Sequence, residues 1–194
     1  MLWPQWFCLN DGSVFVSMFV PRLEYNDDMY QDGEDRGRFF RFVYNSLLLH
    51  EAPVLESMCL KLGQKIGAID IGVCVGPAVN RRARELIIEI DASITEIPVT
   101  LPRSLYTDCR MLVSLVLNNA VIVDSRTPIS FPSLKTLKLT SMKYPGDDFF
   151  YKILSSCPVL EDLFVEKCID DNVAFLVVRV SSLKIFLNLC AMCH

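Results

Sequence analysis

Hydrophobic residues recur along the chain in one fixed triplet, an apolar residue followed by others three and five positions later. The triplet occurs at Leu55, Met58 and Leu60, and it begins again at residues 83, 112, 134 and 160. A sixth copy begins at Leu183 but has Asn188 in its third position. Since side chains two apart lie on the same face of a β-strand, each triplet predicts a short strand with one apolar face.

The starts of the triplets are 22 to 29 residues apart. This spacing and the triplet itself are typical of leucine-rich repeats, which are roughly 20–29 residues long. A single strand of this kind cannot bury its apolar face alone, whereas stacked strands form a parallel sheet with a continuous core. The pattern therefore predicts an α/β fold, a short irregular leucine-rich-repeat solenoid with parallel strands on one face and helices and loops on the other.

The segments between the triplets predict how the chain returns to the sheet. Apolar residues near helical spacing predict a helix over residues 38–50, and a second is predicted over 147–154, where two aspartates suit the helix N-terminus. Residues 98–107 and 127–133 contain prolines and other breaks and are predicted to be loops. Residues 1–36 are predicted to form a divergent N-terminal segment and linker. Residues 37–194 form the predicted repeat domain of about six repeats, the last truncated.

Composition and charge exclude several classes of protein. Hydrophobic residues make up 52% and charged residues 22% of the 194 residues, which excludes a disordered chain. The net charge of −4 and the lack of a long basic cluster argue against nucleic acid as a partner. The apolar run over residues 14–20 stops at Pro21 and is shorter than the ~20 residues that span a membrane. A cytoplasmic or nuclear protein that contacts no membrane is expected.

Candidate chemistry is sparse. The eight cysteines are expected to be reduced thiols, because no secretory signal is present. The tail from Cys190 to His194 has the Cys-x-x-Cys-His spacing of haem attachment, an alternative that lacks a visible axial ligand. The other histidine, His50, is expected to cap a helix or lie at the surface. The paired aspartates are explained by turns and helix starts. No enzyme activity, metal or cofactor is expected.

Several segments resemble a plant protein family. They are residues 19–27, 41–57, 104–106, 131–137 and 155–163, in the same order as in F-box proteins with leucine-rich repeats, many of which end in an FBD domain. The resemblance covers residues 17 to about 190. It implies a leucine-rich-repeat fold and a role in substrate recognition for a ubiquitin ligase.

The resemblance is restricted to the repeat region. In that family an F-box of about forty residues, a helical module that docks a Skp-type adaptor, precedes the segment that corresponds to the one at Pro21. Here the preceding twenty or so residues do not resemble an F-box, and an FBD domain is not expected after His194. Docking of a Skp-type adaptor is therefore not expected. A protein–protein interaction module is predicted, and the alternative is a truncated or non-functional fragment that self-associates or regulates a full-length relative.

The predicted binding surface for an unknown protein is the outward face of the strands. Period-two alternation places on it Glu85, Ile87, Glu89, Ser114, Val116, Thr136, Lys138, Asp162, Phe164 and Glu166, preceded by Ser57 and Cys59. Apolar side chains on an otherwise polar sheet face are typical of contact sites. The alternatives are that loops or the N-terminal segment cover these residues, or that the strand register slips.

Overall fold

The fold was analysed in a computed structural model, which describes residues 21–27, 33–50, 54–63, 68–91, 99–121, 128–144, 147–167 and 178–190. Its elements are β1 (Arg22–Asn26), α1 (Gly33–Leu49), β2 (Ser57–Leu62), α2 (Ala68–Asn80), β3 (Glu85–Ile90), β4 (Val99–Thr100), α3 (Ser104–Thr107), β5 (Ser114–Asn118), β6 (Ala120–Val121), β7 (Thr136–Thr140), α4 (Asp147–Ser155), β8 (Asp162–Lys167) and β9 (Ile185–Cys190).

The main sheet has seven parallel strands in the order β1-β2-β3-β5-β7-β8-β9, and β4 pairs with β6 in a small second sheet. This arrangement confirms the predicted solenoid. The strands are in register, so the triplets form two inner rows that cross the sheet. One row is Leu23, Met58, Leu86, Leu115, Leu137, Leu163 and Phe186, and the other is Tyr25, Leu60, Ile88, Leu117, Leu139, Val165 and Asn188.

Burial explains why the triplet recurs. Every inner-row residue from β1 to β8 is buried, and so is the first apolar residue of each of the five complete triplets. That first residue lies just before its strand, as Leu134 does before β7. There the carbonyl of Val113 accepts hydrogen bonds from the N–H groups of both Lys135 and Thr136, at 2.8 and 3.0 Å. The same pair of hydrogen bonds to one carbonyl of the preceding repeat recurs at β8 and β9 and fixes the register.

The helices agree only in part with the sequence prediction. The two predicted helices are confirmed as α1 and α4, although α1 begins at Gly33 rather than at residue 38. Helix α2 was not predicted, because Gly72, Gly76 and Pro77 disfavour a helix. It forms because its residues at helical spacing, Ile71, Cys74, Val75 and Ala78, are buried against the repeats.

Residues 98–107 also differ from the prediction of a loop. From Val99 onward they contain the short strand β4 and the short helix α3, which buries Leu105 and Tyr106. The Tyr106 ring packs edge-on against Phe131 with the ring centroids 6.5 Å apart. Its hydroxyl has no hydrogen-bond partner within the described ranges. The second predicted loop is confirmed over 128–133, which contains neither helix nor strand.

The first strand lies where a linker was predicted. Within residues 1–36, Arg22–Asn26 pairs with β2 and so belongs with the repeats. Its alternating Leu23 and Tyr25 are buried, and these two apolar positions were too few to register as a triplet. Residues 1–20 and 28–32 lie outside the described ranges, and the division of the chain at residue 36 stays a prediction.

Hydrogen bonds fasten β1 to its neighbours. The Tyr25 hydroxyl donates to Ser46 Oγ at 2.5 Å, and that hydroxyl donates in turn to the carbonyl of Val43 at 2.8 Å. The buried carboxylate of Asp27 accepts from the N–H of Gly63 at 2.7 Å, just after β2.

The position of His50 differs from the expectation. His50 is 1% exposed, so the surface position considered for it is wrong. It follows directly after α1, whose apolar residues Phe39, Val43 and Leu47 are also buried. Among the described helices, none combines the length and apolar character needed to cross a membrane.

Candidate interaction surface

The outward side of the main sheet carries three parallel rows of side chains, which we call the open face. Its first row is Arg22, Ser57, Glu85, Ser114, Thr136, Asp162 and Ile185; its central row is Glu24, Cys59, Ile87, Val116, Lys138, Phe164 and Leu187; its third row is Asn26, Lys61, Glu89, Asn118, Thr140 and Glu166. The rows exist because the same register that aligns the inner residues aligns the outer ones. All of these residues are half-buried or exposed.

Apolar side chains dominate the central row from β3 onward. Ile87 is in register with Val116, and Phe164 is in register with Leu187. Lys138 lies between Val116 and Phe164, and its long aliphatic stem suits an apolar neighbourhood while its ammonium group reaches solvent. The centre of the open face is therefore an apolar stripe whose side chains remain partly exposed to solvent.

Carboxylates flank this stripe. Glu85, Glu89, Asp162 and Glu166 form no ion pair with any other residue that the structure describes. The stripe itself contributes one cation, Lys138, which likewise has no ion pair in the same ranges.

The other cations of the open face are neutralised close to β1. Arg22 Nε lies 3.5 Å from a carboxylate oxygen of Glu56, and Lys61 Nζ lies 2.6 Å from Glu24 Oε1. The second pair raises the pKa of Lys61 through the hydrogen bond to Glu24.

The electrostatic effect of the acidic residues is visible at Cys59. Burial is the main cause that raises the pKa of this thiol to about 11. The negative charges of Glu24, Glu89 and Glu85 act in the same direction, against the opposing effect of Lys61. The carboxylates of β1 and β3 thus give Cys59 negatively charged surroundings.

At the margin where the strands begin, charges are paired. Glu161 accepts hydrogen bonds from Lys184 and Lys135, with N–O distances of 2.8 and 3.1 Å. These two partners, Lys184 first, hold the pKa of Glu161 below its ordinary value. Since the two lysines are largely exposed and Glu161 is half-buried, the cluster orders the margin more than it stabilises the fold.

The cysteines and acidic side chains of the described ranges decide what chemistry those residues can support. The described residues contain no group of three or more histidine, cysteine or acidic side chains able to hold a metal ion. The three buried thiols, Cys74, Cys109 and Cys157, are free, and burial raises the pKa of each to about 12. They are protonated at neutral pH and are inert as nucleophiles. The haem alternative at Cys190 to His194 falls on residues whose side chains lie outside the described ranges.

All ten sequence-predicted contact residues lie on the open face, on the neighbouring strands β3, β5, β7 and β8. That they bind a partner stays a prediction. The sequence prediction missed the contributions of β1 and β9, such as Glu24 and Leu187. The alternation of Leu23 and Tyr25 was the available signal for β1, and Asn188 obscured β9 by interrupting its triplet.

Comparisons with known proteins give consistent results. The family profile described as Leucine Rich Repeat matches residues 133–158. A putative FBD-associated F-box protein of Arabidopsis thaliana is 54% identical over 88% of this chain and 41% of its own length. A probable FBD-associated F-box protein and an F-box/FBD/LRR-repeat protein from the same plant are 56% and 41% identical, each over 88% of this chain and 40% of their own lengths. The chain thus spans about two fifths of these relatives. No solved structure matches it.

Proposed function

Since this chain is a relative of the plant F-box proteins with leucine-rich repeats and shares their repeat region, we propose that it is a protein-recognition module that captures another polypeptide on its open face. The observation that carries the proposal is the partly exposed apolar stripe of Ile87, Val116, Phe164 and Leu187 across a sheet that lies open on that side in the described ranges. Capture is non-covalent, and the chain performs no chemistry itself. Its place of action is the cytoplasm or the nucleus.

The size of the open face suits this role. Seven strands spaced about 4.8 Å apart give a width of about 29 Å, and strands of five or six residues give a height of about 18 Å. The area is roughly 500 Å², somewhat below the ~800 Å² that each partner contributes to a standard interface. The open face therefore accommodates an extended peptide or a segment of a folded protein, whose interface would extend beyond the sheet.

In a ubiquitin ligase this surface would select the substrate. The names of the relatives include an F-box, which belongs to those proteins. The described residues of this chain all lie in repeats and their connections, so we expect a Skp-type adaptor not to bind the 194-residue chain. A pull-down of the purified chain with such an adaptor tests this point; retention of the adaptor would extend the proposal to ligase assembly.

Site-specific crosslinking tests the proposed surface. A photoreactive amino acid at Val116, on the open face, is compared with one at Tyr151, which is 54% exposed on α4. We expect a protein crosslinked only from position 116. After purification, this crosslinked partner should bind the wild-type chain. Its affinity for the Phe164→Ser chain should be about tenfold or more weaker. Crosslinks of equal yield from both positions, or unchanged affinity, would refute recognition on the open face.

A second candidate is self-association along β9, as expected of a family fragment or a regulator of a full-length relative. Ile185, Phe186 and Leu187 are 47%, 42% and 46% exposed, and no charged residue occurs from residue 185 to 190. By contrast β1, the other outer strand, carries Arg22 and Glu24. Because charged residues normally protect sheet edges from pairing, β9 is the edge on which a second copy of the chain would add its own β9.

Light scattering on the purified chain tests this second candidate. Self-association through β9 predicts a mass that rises with concentration in the wild type and stays monomeric with the double substitution Ile185→Lys and Leu187→Lys. A double charge substitution outside β9, with Arg103 and Arg110 each replaced by Asp, is the control at exposed positions. A monomeric wild type across the concentration range would remove this candidate.

A further inference from the structure

We propose that the occupant of the open face is a basic segment, with lysine or arginine residues on either side of an aliphatic or aromatic anchor. This inference rests on the proposed recognition function and adds the chemistry of the partner. It follows from the charges around the apolar stripe and from their spacing.

Carboxylates bracket the stripe at two places. On β3, Glu85 and Glu89 lie two residues before and after Ile87, and on β8, Asp162 and Glu166 lie likewise around Phe164. Residues two apart on a strand are about 7 Å apart and point to the same side. Each end of the span from Ile87 to Phe164 therefore has carboxylates on both sides of its apolar side chain, and the apolar centre of the stripe lies between them.

These carboxylates are not neutralised by the described part of the protein. None of the four takes part in an ion pair there. Glu89 feels the positive charge of Lys61, with which it is in register, and Asp162 feels that of Lys184. The ammonium groups of these two lysines donate to Glu24 and Glu161 instead. A partner that covers the open face must supply the missing cations, because a carboxylate removed from water without a partner is costly.

Lys138 is the exception within the stripe. It lies on β7, between Val116 and Phe164, and is exposed. Its positive charge disfavours a basic side chain at the middle of the occupant, whereas an apolar side chain over Val116 avoids it. The open face therefore favours cations at the two ends of a segment and an apolar residue in between.

The spacing of the strands sets the length of this segment. From β3 to β8 there are three strand spacings, through β5 and β7, or about 14 Å. An extended chain covers this distance in about four residues. The geometry thus points to basic residues about four positions apart in an extended segment that runs across the strands, with its anchor near the middle.

Synthetic peptides test the preference. Three fluorescent peptides share a central leucine anchor. They carry arginine, serine or glutamate at two positions, one on each side of the leucine, and these two positions are four residues from each other. Fluorescence anisotropy with the full 194-residue chain measures their affinities. We expect the arginine peptide to bind roughly tenfold or more tightly than the serine peptide, the glutamate peptide to bind least, and the preference to shrink when salt rises from about 50 to about 300 mM.

Matched charge variants locate the effect. The double substitution Glu85→Lys and Glu166→Lys alters the open face, and Asp108→Lys with Asp148→Lys makes the same change in net charge at exposed positions elsewhere. We expect the first variant to lose the arginine preference and to favour the glutamate peptide, while the second keeps wild-type behaviour. Circular dichroism spectra identical to the wild type show that both variants are folded.

The other outcomes separate this inference from the proposed function. If all three peptides bind equally but Phe164→Ser weakens them, the open face recognises polypeptides without charge preference and only the inference on basic partners fails. If binding responds neither to Phe164→Ser nor to the charge variants, the site lies elsewhere and recognition on the open face fails too. If no peptide binds up to about 1 mM, the inference fails, and the crosslinking experiment decides on the proposed function independently.

Discussion

The substitution Leu117→Ala tests the division of the sheet into an inner and an open side. Leu117 is fully buried in the inner row, in register with Ile88 on one side and Leu139 on the other. The change removes three carbon atoms, which at about 0.8 kcal/mol each lowers the free energy of unfolding by about 2.4 kcal/mol. Because rigid strands on both sides prevent collapse of the cavity, the total loss is about 3 kcal/mol.

The neighbouring residue provides the control. Val116 lies on the same strand but on the open face, where it is only half-buried. Val116→Ala should therefore cost less than about 1 kcal/mol. The two variants differ by one position along the chain and by the side of the sheet that they perturb.

Urea unfolding followed by circular dichroism measures both losses. Leu117→Ala should move the midpoint to lower urea with an unchanged slope, and should lower the Tm by roughly 6–12 °C for a chain of this size. Equal losses for the two variants, or a loss below about 1 kcal/mol for Leu117→Ala, would refute the assignment of the inner rows to a shared core.

Three further predictions concern buried polar groups. Asp27→Ala should lower the free energy of unfolding by about 1–3 kcal/mol, since it leaves the N–H of Gly63 without its acceptor. Asp27→Asn keeps an acceptor oxygen and should lower it less, and urea unfolding distinguishes the two variants. Tyr25→Phe removes the hydrogen bond to Ser46 and should lower the free energy of unfolding by about 1 kcal/mol, whereas Tyr106→Phe removes a hydroxyl without a partner in the described ranges and should not lower it. Equal losses in urea unfolding would contradict this difference between the two hydroxyls. In the folded protein the three buried thiols keep their protons, because burial raises their pKa values from 9.0 to about 12, whereas in the unfolded chain they ionise above about pH 9. The free energy of unfolding should therefore fall as the pH rises from about 9. A urea midpoint that rises in that pH range would contradict their burial. In the folded protein at neutral pH and without urea, a maleimide should label Cys59 before those three thiols.

The strands were the part of the fold most open to prediction. A triplet such as that ending at Leu139 combines a period of two with a repeat length, and both signals are local in sequence. Each failure has a physical reason. Helix α2 contains Gly72 and Pro77, so its propensity is poor and only packing against the repeats forms it. Strand β1 has too short an apolar pattern by itself and is recognisable only through its pairing with β2.

The open face was predicted in composition but not in arrangement. Alternation alone assigns Ile87 and Phe164 to the outward side. It also gives each of them a carboxylate two residues away on both sides, but it does not reveal that Lys138 stands between the strands that carry them, or that the pairs at Arg22 and Lys61 neutralise the face only near β1. Those features depend on the register between strands that are far apart in sequence.

The sequence by itself determined the kind of fold, because burial of leucines at a two-residue period requires strands, and their recurrence at repeat length requires those strands to stack. The tertiary structure decided which side chains become neighbours across the sheet, and hence where charge stays unpaired. The physical reason is range: side-chain alternation acts within a few residues, whereas hydrogen bonds between strands and the sharing of counter-ions act across the whole sheet.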